Sequence, residues 1–199
     1  MISLRHFEST MRRNELARVA IVSAFAIGSL SGCSTYHSIT NYISADNPLL
    51  CPDAVILAGT SSLPAFDPAK GMDPSNLNYS IAMTNVTTRC DYNKHRFDAD
   101  ASLKIFFRAS RPPGGDDAHY RVPYYVAVTS NGEILDKKPR WLEFDFPKGA
   151  SSVTGEENVD SFDVQMDKAK KPYEYHLIVG FQLTKAQVDY NKKMGQYEP

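Results

Sequence analysis

The 199-residue chain has 22 Lys and Arg against 23 Asp and Glu, a formal net charge of −1 at pH 7, and so lacks the basic field that nucleic-acid binding draws on. Its hydrophobic fraction is an ordinary 42%, with 11 Tyr and 10 Phe, which predicts a proper core. A chain of this size suits one domain, able to bury about two-thirds of its extended surface.

In chain order, the first pattern is Arg12, Arg13 and Arg18, then the apolar stretch Val19 to Leu30, then Leu30-Ser31-Gly32-Cys33. A cationic region, a short apolar region and a small-residue cleavage site make a secretory signal. Twelve helical residues would rise only about 18 Å, short of a hydrocarbon core of about 30 Å, and Ser23, Gly28 and Ser29 weaken the stretch as a permanent span. The tetrapeptide resembles the lipobox of bacterial lipoproteins, in which the cysteine thiol is diacylated and the signal is cut just before it. That resemblance implies a signal peptide over residues 1–32 and a lipid on Cys33, the membrane being a partner through that lipid. Ser34, where inner-membrane retention is associated with aspartate, points by the same resemblance to the cell envelope and the periplasmic face of the outer membrane. Translation from Met11 is an alternative start, because Met1 to Thr10 adds Glu8 and His6, which export does not need. Removing residues 1–32 takes away four of the 22 basic and two of the 23 acidic residues, leaving 18 and 21, a net charge of −3.

Ser34 to Leu50 is rich in Ser, Thr, Asn and Tyr and reads as a tether, so residues 33–50 form the lipidated cysteine and its linker. Seventeen flexible residues would reach about 22 Å. The domain proper is expected over 51–199. Ala54 to Ala58 is a first apolar strand, and Gly59 to Ser75, with Pro64, Pro68, Gly71 and Pro74, reads as a loop. Leu77, Tyr79, Ile81 and Met83 alternate with polar residues, while Val86 and Cys90 fall on the other parity, which predicts a bulge near Thr84-Asn85. Phe97, Ala99, Ala101, Leu103, Ile105 and Phe107 hold one face of the clearest strand. Arg111 to Asp116 is a surface loop. Tyr120 to Thr129 follows, with Pro123 arguing for an edge or a strand start. Asn131-Gly132 reads as a type I′ hairpin turn into Glu133-Ile134-Leu135. Trp141 to Phe146, Val153 to Met166 and Tyr173 to Leu183 complete the strands, and Thr184 with Gln187 predicts a capping box for a short helix from Lys185. The sum is an all-β fold: an antiparallel immunoglobulin-like β-sandwich of about seven strands with a short C-terminal helix. A lipocalin-like barrel is the competitor, with eight longer strands and a ligand cavity.

With Cys33 used for lipidation, Cys51 and Cys90 remain as an even pair in an oxidising compartment, and a structural disulfide between them is expected, the alternative being two buried free thiols. No Cys-x-x-Cys spacing supports a redox role. Cys51-Pro52, Cys90-Asp91-Tyr92, Val122 to Val128, Gly180 to Thr184 and Tyr190-Asn191 together resemble a group of small proteobacterial envelope lipoproteins. That resemblance implies an exported lipoprotein with the cysteine pair, and no active site.

No catalytic motif stands out. Asp116-Asp117-x-His119 and His95-x-x-Asp98-x-Asp100 match no zinc or calcium spacing and read as solvated loop charges, so no metal and no cofactor are expected. There is no Gly-x-Ser-x-Gly elbow, and the glycines form no phosphate loop. His37 lies in the tether, and His176 should point outward. Tyr120, Arg121 and Tyr125 are the candidate partner-binding residues, since aromatics and Arg are enriched at hot spots. The structural alternative places Tyr124 in the core and Tyr125 over the opposite face of the sheet. The expected function is non-catalytic: a lipid-anchored binding or scaffolding module for an envelope protein or other envelope component. The alternative is a carrier of a small apolar ligand in a cavity.

Overall fold

In the computed structural model, which describes residues 50–195, the alternating run from Ala99 to Ala109 becomes the middle of a long strand, β4 (Asp98–Ser110). Its odd-numbered side chains from Ala99 to Ala109 are all buried, because a pleated strand sends successive residues to opposite faces. The other strands are β1 (Asp53–Ile56), β2 (Ser62–Phe66), β3 (Leu77–Asn93), β5 (Ala118–Ser130), β6 (Glu133–Phe146), β7 (Ser152–Gln165) and β8 (Tyr175–Phe181). They form two four-stranded sheets, in the orders β1-β8-β5-β6 (sheet A) and β2-β3-β4-β7 (sheet B). Both sheets give their inner faces to one core, with Ile81, Ile105 and Phe162 from sheet B and Val126, Leu142 and Phe181 from sheet A. The fold is thus a β-sandwich, immunoglobulin-like in its two-layer architecture. Its strand order differs from that of an immunoglobulin domain. All pairings are antiparallel except one: β1 runs parallel to β8, the last strand.

The strand count is eight rather than about seven because β2 lies inside the stretch expected to be a loop. Ser62-Leu63-Pro64-Ala65-Phe66 is short and interrupted by proline, and it pairs along one side only, with β3. Pro64 is tolerated because the free side of an edge strand does not need its missing N–H. Two other expectations hold. The register shifts between Met83 and Asn85, as the change of parity predicts. Asn131 (φ 53°) and Gly132 (φ 79°) are both left-handed, as a type I′ turn requires. Pro123 sits where β5 passes from one neighbour to two: pairing with β8 begins at Tyr124, and the Pro123 carbonyl accepts the Gln182 N–H at 3.0 Å.

Cys51 and Cys90 are bridged, with Cα atoms 5.8 Å apart. The bridge joins the residues just before β1, in sheet A, to β3, in sheet B, and so links strands that are not neighbours in one sheet. It therefore clamps the two layers together where the described chain begins.

The C-terminal helix α1 (Lys185–Lys193) starts at the expected capping box: the Gln187 N–H donates to Thr184 Oγ1 at 3.3 Å, and the Thr184 N–H donates to Gln187 Oε1 at 2.9 Å. The helix packs along β2. Gln187 Nε2 donates to the Pro64 carbonyl at 2.8 Å, Asn191 Nδ2 donates to the Ser62 carbonyl at 2.8 Å, and Phe66 meets Tyr190 edge-on at 4.8 Å. Those amides occupy carbonyls on the free edge, a site at which another chain could otherwise add. Thr184→Ala is expected to lower the unfolding free energy by about 1 kcal/mol in a urea titration, the usual cost of losing such a cap. Replacing both Cys51 and Cys90 by serine should cost more, about 4 kcal/mol by the chain-entropy argument for a loop of this size.

Candidate functional site

The three expected partner-binding residues do not form one exposed patch. Tyr120 points into the sandwich and stacks in an aromatic cluster, 4.1 Å from Tyr79 and 5.5 Å from Phe144 between ring centroids. Tyr125 points the other way, as the alternative placement has it, but it is buried: only 7% exposed, it shares a hydrogen bond of 3.1 Å with Thr60 and lies under the Lys137 ammonium. Arg121 alone of the three is exposed. Its guanidinium lies 4.5 Å above the Trp141 ring and 3.3 Å from Glu143. The expected lipidation site Cys33, the signal peptide, His37 and the tether up to residue 49 lie outside the described residues.

The acidic loop motifs are spread among other partners. Asp116 pairs with Lys148 at 3.5 Å, Asp117 accepts the Lys148 N–H at 2.7 Å, and His119 meets Asp145 at 2.8 Å. Asp98 pairs with Arg96 at 3.0 Å. Among the described residues no group of three His, Cys, Asp or Glu side chains converges on a common point. His176 does point outward, against Asp53.

The outer faces of the two sheets differ in kind, and this asymmetry defines the candidate site. Across sheet B most outward register rows are polar: Ser80, Ser110 and Ser152; Thr87, Lys104 and Asn158; Asp91, Asp100 and Asp163; the aromatic exception is Phe106, between Asn85 and Glu156. Across sheet A the corresponding row is Val55, Ile178, Ala127 and Lys137. Ala127 and Tyr125 are buried without belonging to the core between the sheets. Around them lie Val55 (42% exposed), Leu57 and Trp141 (52%), with Trp141 paired to Pro123. Polar side-chain pairs bound this band at both strand ends: Asp53 with His176 at one, Arg121 with Glu143 and His119 with Asp145 at the other. An apolar field with a polar rim is the anatomy of an interaction surface. Its sequence signal was Val55-Ile56-Leu57, apolar on both parities of a short strand, where a one-sided strand would alternate.

The middle of this face is set by close packing. Gly180 of β8 passes under Tyr125, and a Cβ there would meet Thr60 Oγ1 at 2.0 Å and Tyr125 Oη at 2.9 Å. The glycine is what lets the Ala58–Thr60 turn close over β8 and hold Tyr125 down.

A different polar group lies inside the sandwich at its β6–β7 flank. The fully buried Tyr124 donates its hydroxyl proton to Glu157 Oε1 at 3.0 Å. Burial, the Glu157 charge and this hydrogen bond all push the Tyr124 pKa up, so it stays a donor. Burial raises the Glu157 pKa above its ordinary value, opposed by the Tyr124 hydroxyl and the Arg140 charge. This is a structural polar contact closing the flank. A cleft of about 760 Å³ opens beside the β3–β4 turn, and its walls, among them Asp91, Lys94, Arg96 and Asp98, are charged, unlike those of an apolar-ligand pocket.

Compared with protein-family models, with curated proteins and with solved structures, the chain gives no match. Among the described residues no helix is long and apolar enough to cross a membrane.

Two substitutions test this geometry. Glu157→Gln keeps an acceptor for Tyr124 and removes a charge that burial penalises. A raised folded-state pKa takes stability away as pH rises, so the variant should be more stable than the native chain at neutral pH. That advantage should vanish below about pH 4, where the native carboxyl is protonated in both states. Gly180→Ala should cost about 1–3 kcal/mol by overpacking, with part recovered by Thr60→Ala in the same chain, read by thermal unfolding.

Proposed function

We propose that this chain is a lipid-anchored envelope protein, cut before Cys33 and acylated there, that acts as a non-catalytic binding module for another envelope protein. The observation that carries the binding role is the apolar outer face of sheet A, set against the mostly polar rows of sheet B. A Trp–Arg stack at the edge of an apolar field offers large contact area at small entropic cost, the chemistry that dominates protein–protein hot spots. The anchor rests on the lipobox-like Leu30-Ser31-Gly32-Cys33 after a basic and apolar segment. The likeness to small proteobacterial envelope lipoproteins supports the same reading, as does a disulfide that an oxidising compartment would keep closed.

Intact-mass measurement of the membrane fraction tests the anchor: the expected species starts at Cys33 and carries acyl chains, and an unmodified chain starting at Met1 or Met11 would overturn it. For the face, Val55→Glu with Trp141→Glu should abolish the crosslinked species formed by the native protein in intact cells while leaving the melting temperature within a few degrees. Both side chains are about half exposed, so little packing is lost. An unchanged crosslink pattern would place the interaction elsewhere, and a crosslinked species of twice the chain mass would identify a second copy as the occupant.

A further inference from the structure

Four segments converge at the end of the sandwich where the described chain begins. The Cys51–Cys90 bridge fixes Leu50 beside the β3–β4 turn, Lys94 to Phe97. Lys168, in the β7–β8 connection, lies 5.6 Å from the Phe97 ring centroid, and Lys170 in the same connection donates to Ser130 Oγ at 3.0 Å. The β5–β6 turn is at this end too, because Asp53, His176, Thr129 and Ile134 share one register row.

The chemistry of these tips is uneven. Lys94, Arg96, Lys168 and Lys171 are exposed, with Lys170 half-buried. Several of the nearby acids are tied locally: Asp98 to Arg96, Asp167 to the Ala169 N–H at 2.8 Å, and Glu174 to the Lys171 N–H. Four of the eight large hydrophobic side chains exposed among the described residues stand here: Leu50, Ile134, Leu135 and Tyr173. Ile134 and Leu135 are adjacent on β6 at a register shift, where Thr129 faces Ile134 and Val128 faces Asp136, and both side chains are exposed. Exposed aliphatic groups beside lysines and a tyrosine suit a boundary where acyl chains meet phosphates.

We infer that this end of the sandwich seats on an anionic phospholipid surface, with Ile134, Leu135 and Tyr173 entering the headgroup layer and the loop lysines facing lipid phosphates. The inference rests on the proposed anchorage, since a 17-residue tether of about 22 Å reach keeps the entry end close to the lipid that holds Cys33. The acidic row Asp91, Asp100 and Asp163 lies one register step behind the β3–β4 turn on sheet B. Repulsion from the same phosphates keeps that face off the bilayer. The domain therefore stands end-on, and the apolar face of sheet A is held upright above the membrane and open to a partner.

The chain has a single tryptophan, Trp141, which sits six residues along the β5 register from the Ile134 row, roughly 20 Å away. Protein purified from membranes as the full chain is reconstituted in vesicles of phosphatidylcholine and phosphatidylglycerol brominated near the headgroup. Native Trp141 should be quenched weakly. The Ile134→Trp, Trp141→Phe variant should be quenched several-fold more strongly, less so in vesicles of phosphatidylcholine alone, and less again when Lys168→Glu and Lys171→Glu are added. Equal quenching of the two reporters, or stronger quenching of native Trp141, would overturn end-on seating; indifference to phosphatidylglycerol and to the lysine changes would overturn the anionic-lipid assignment. Intact mass of the same sample reports acylation separately: a chain attached through residues 19–30 instead of an acyl group would refute the anchor while the quenching still reads the seating.

Discussion

One inserted residue in each of several strands keeps the single core together. β4 runs unbroken, with its odd-numbered residues turned inward from Ala99 to Ala109. Its neighbours adapt to it. In β3, Thr84 is the extra residue, so the inward set Tyr79, Ile81 and Met83 becomes Val86, Cys90 and Tyr92 beyond it. In β7, two residues, Asp160 and Ser161, stand opposite Ser102 alone, and Ser161 takes a left-handed φ of 55°. A slip of one residue reverses the face of every side chain beyond it. Without the insertion at Thr84, Cys90 would stand on the outer face of sheet B, out of reach of Cys51. The covalent clamp between the layers thus depends on a bulge six residues away.

Most of the architecture was legible because it is written in period-two patterns that local physics enforces. The parity change between Met83 and Val86, the Asn131-Gly132 turn and the Thr184–Gln187 cap each have a short-range cause, and each is found. β2 was not legible. Ser62 to Phe66 becomes a strand through β3 on one side and the amides of Gln187 and Asn191 on the other, partners distant in sequence. The parallel pairing of β1 with β8 was hidden for the same reason: no local signal sets which strand a short apolar run will join.

The proposed interaction face was legible only in part. Tyr120 and Tyr125 drew attention as aromatics, and the fold half-buries the first in the aromatic cluster and buries the second under the Ala58–Thr60 turn. Arg121 and its neighbour Trp141 carry the exposed chemistry, together with aliphatic residues of β1 that read in sequence as core. An outward valine and an inward isoleucine look alike until the partner sheet is known. Burial is a property of the assembled layers, which explains why the residue types were informative and their placement was not.

The parallel pair β1–β8 has a consequence for how the chain comes into being. Among the described residues the first strand to emerge, β1, waits for the last, and β2 receives its edge cover from α1 later still. Sheet A is complete only once β8 is present, and the free edge of β2 is covered only once α1 has followed it. Such long-range pairing slows folding and leaves edges open in the interim. A chain built this way stays threadable until β8 arrives, and α1 then follows to close the edge of the other sheet.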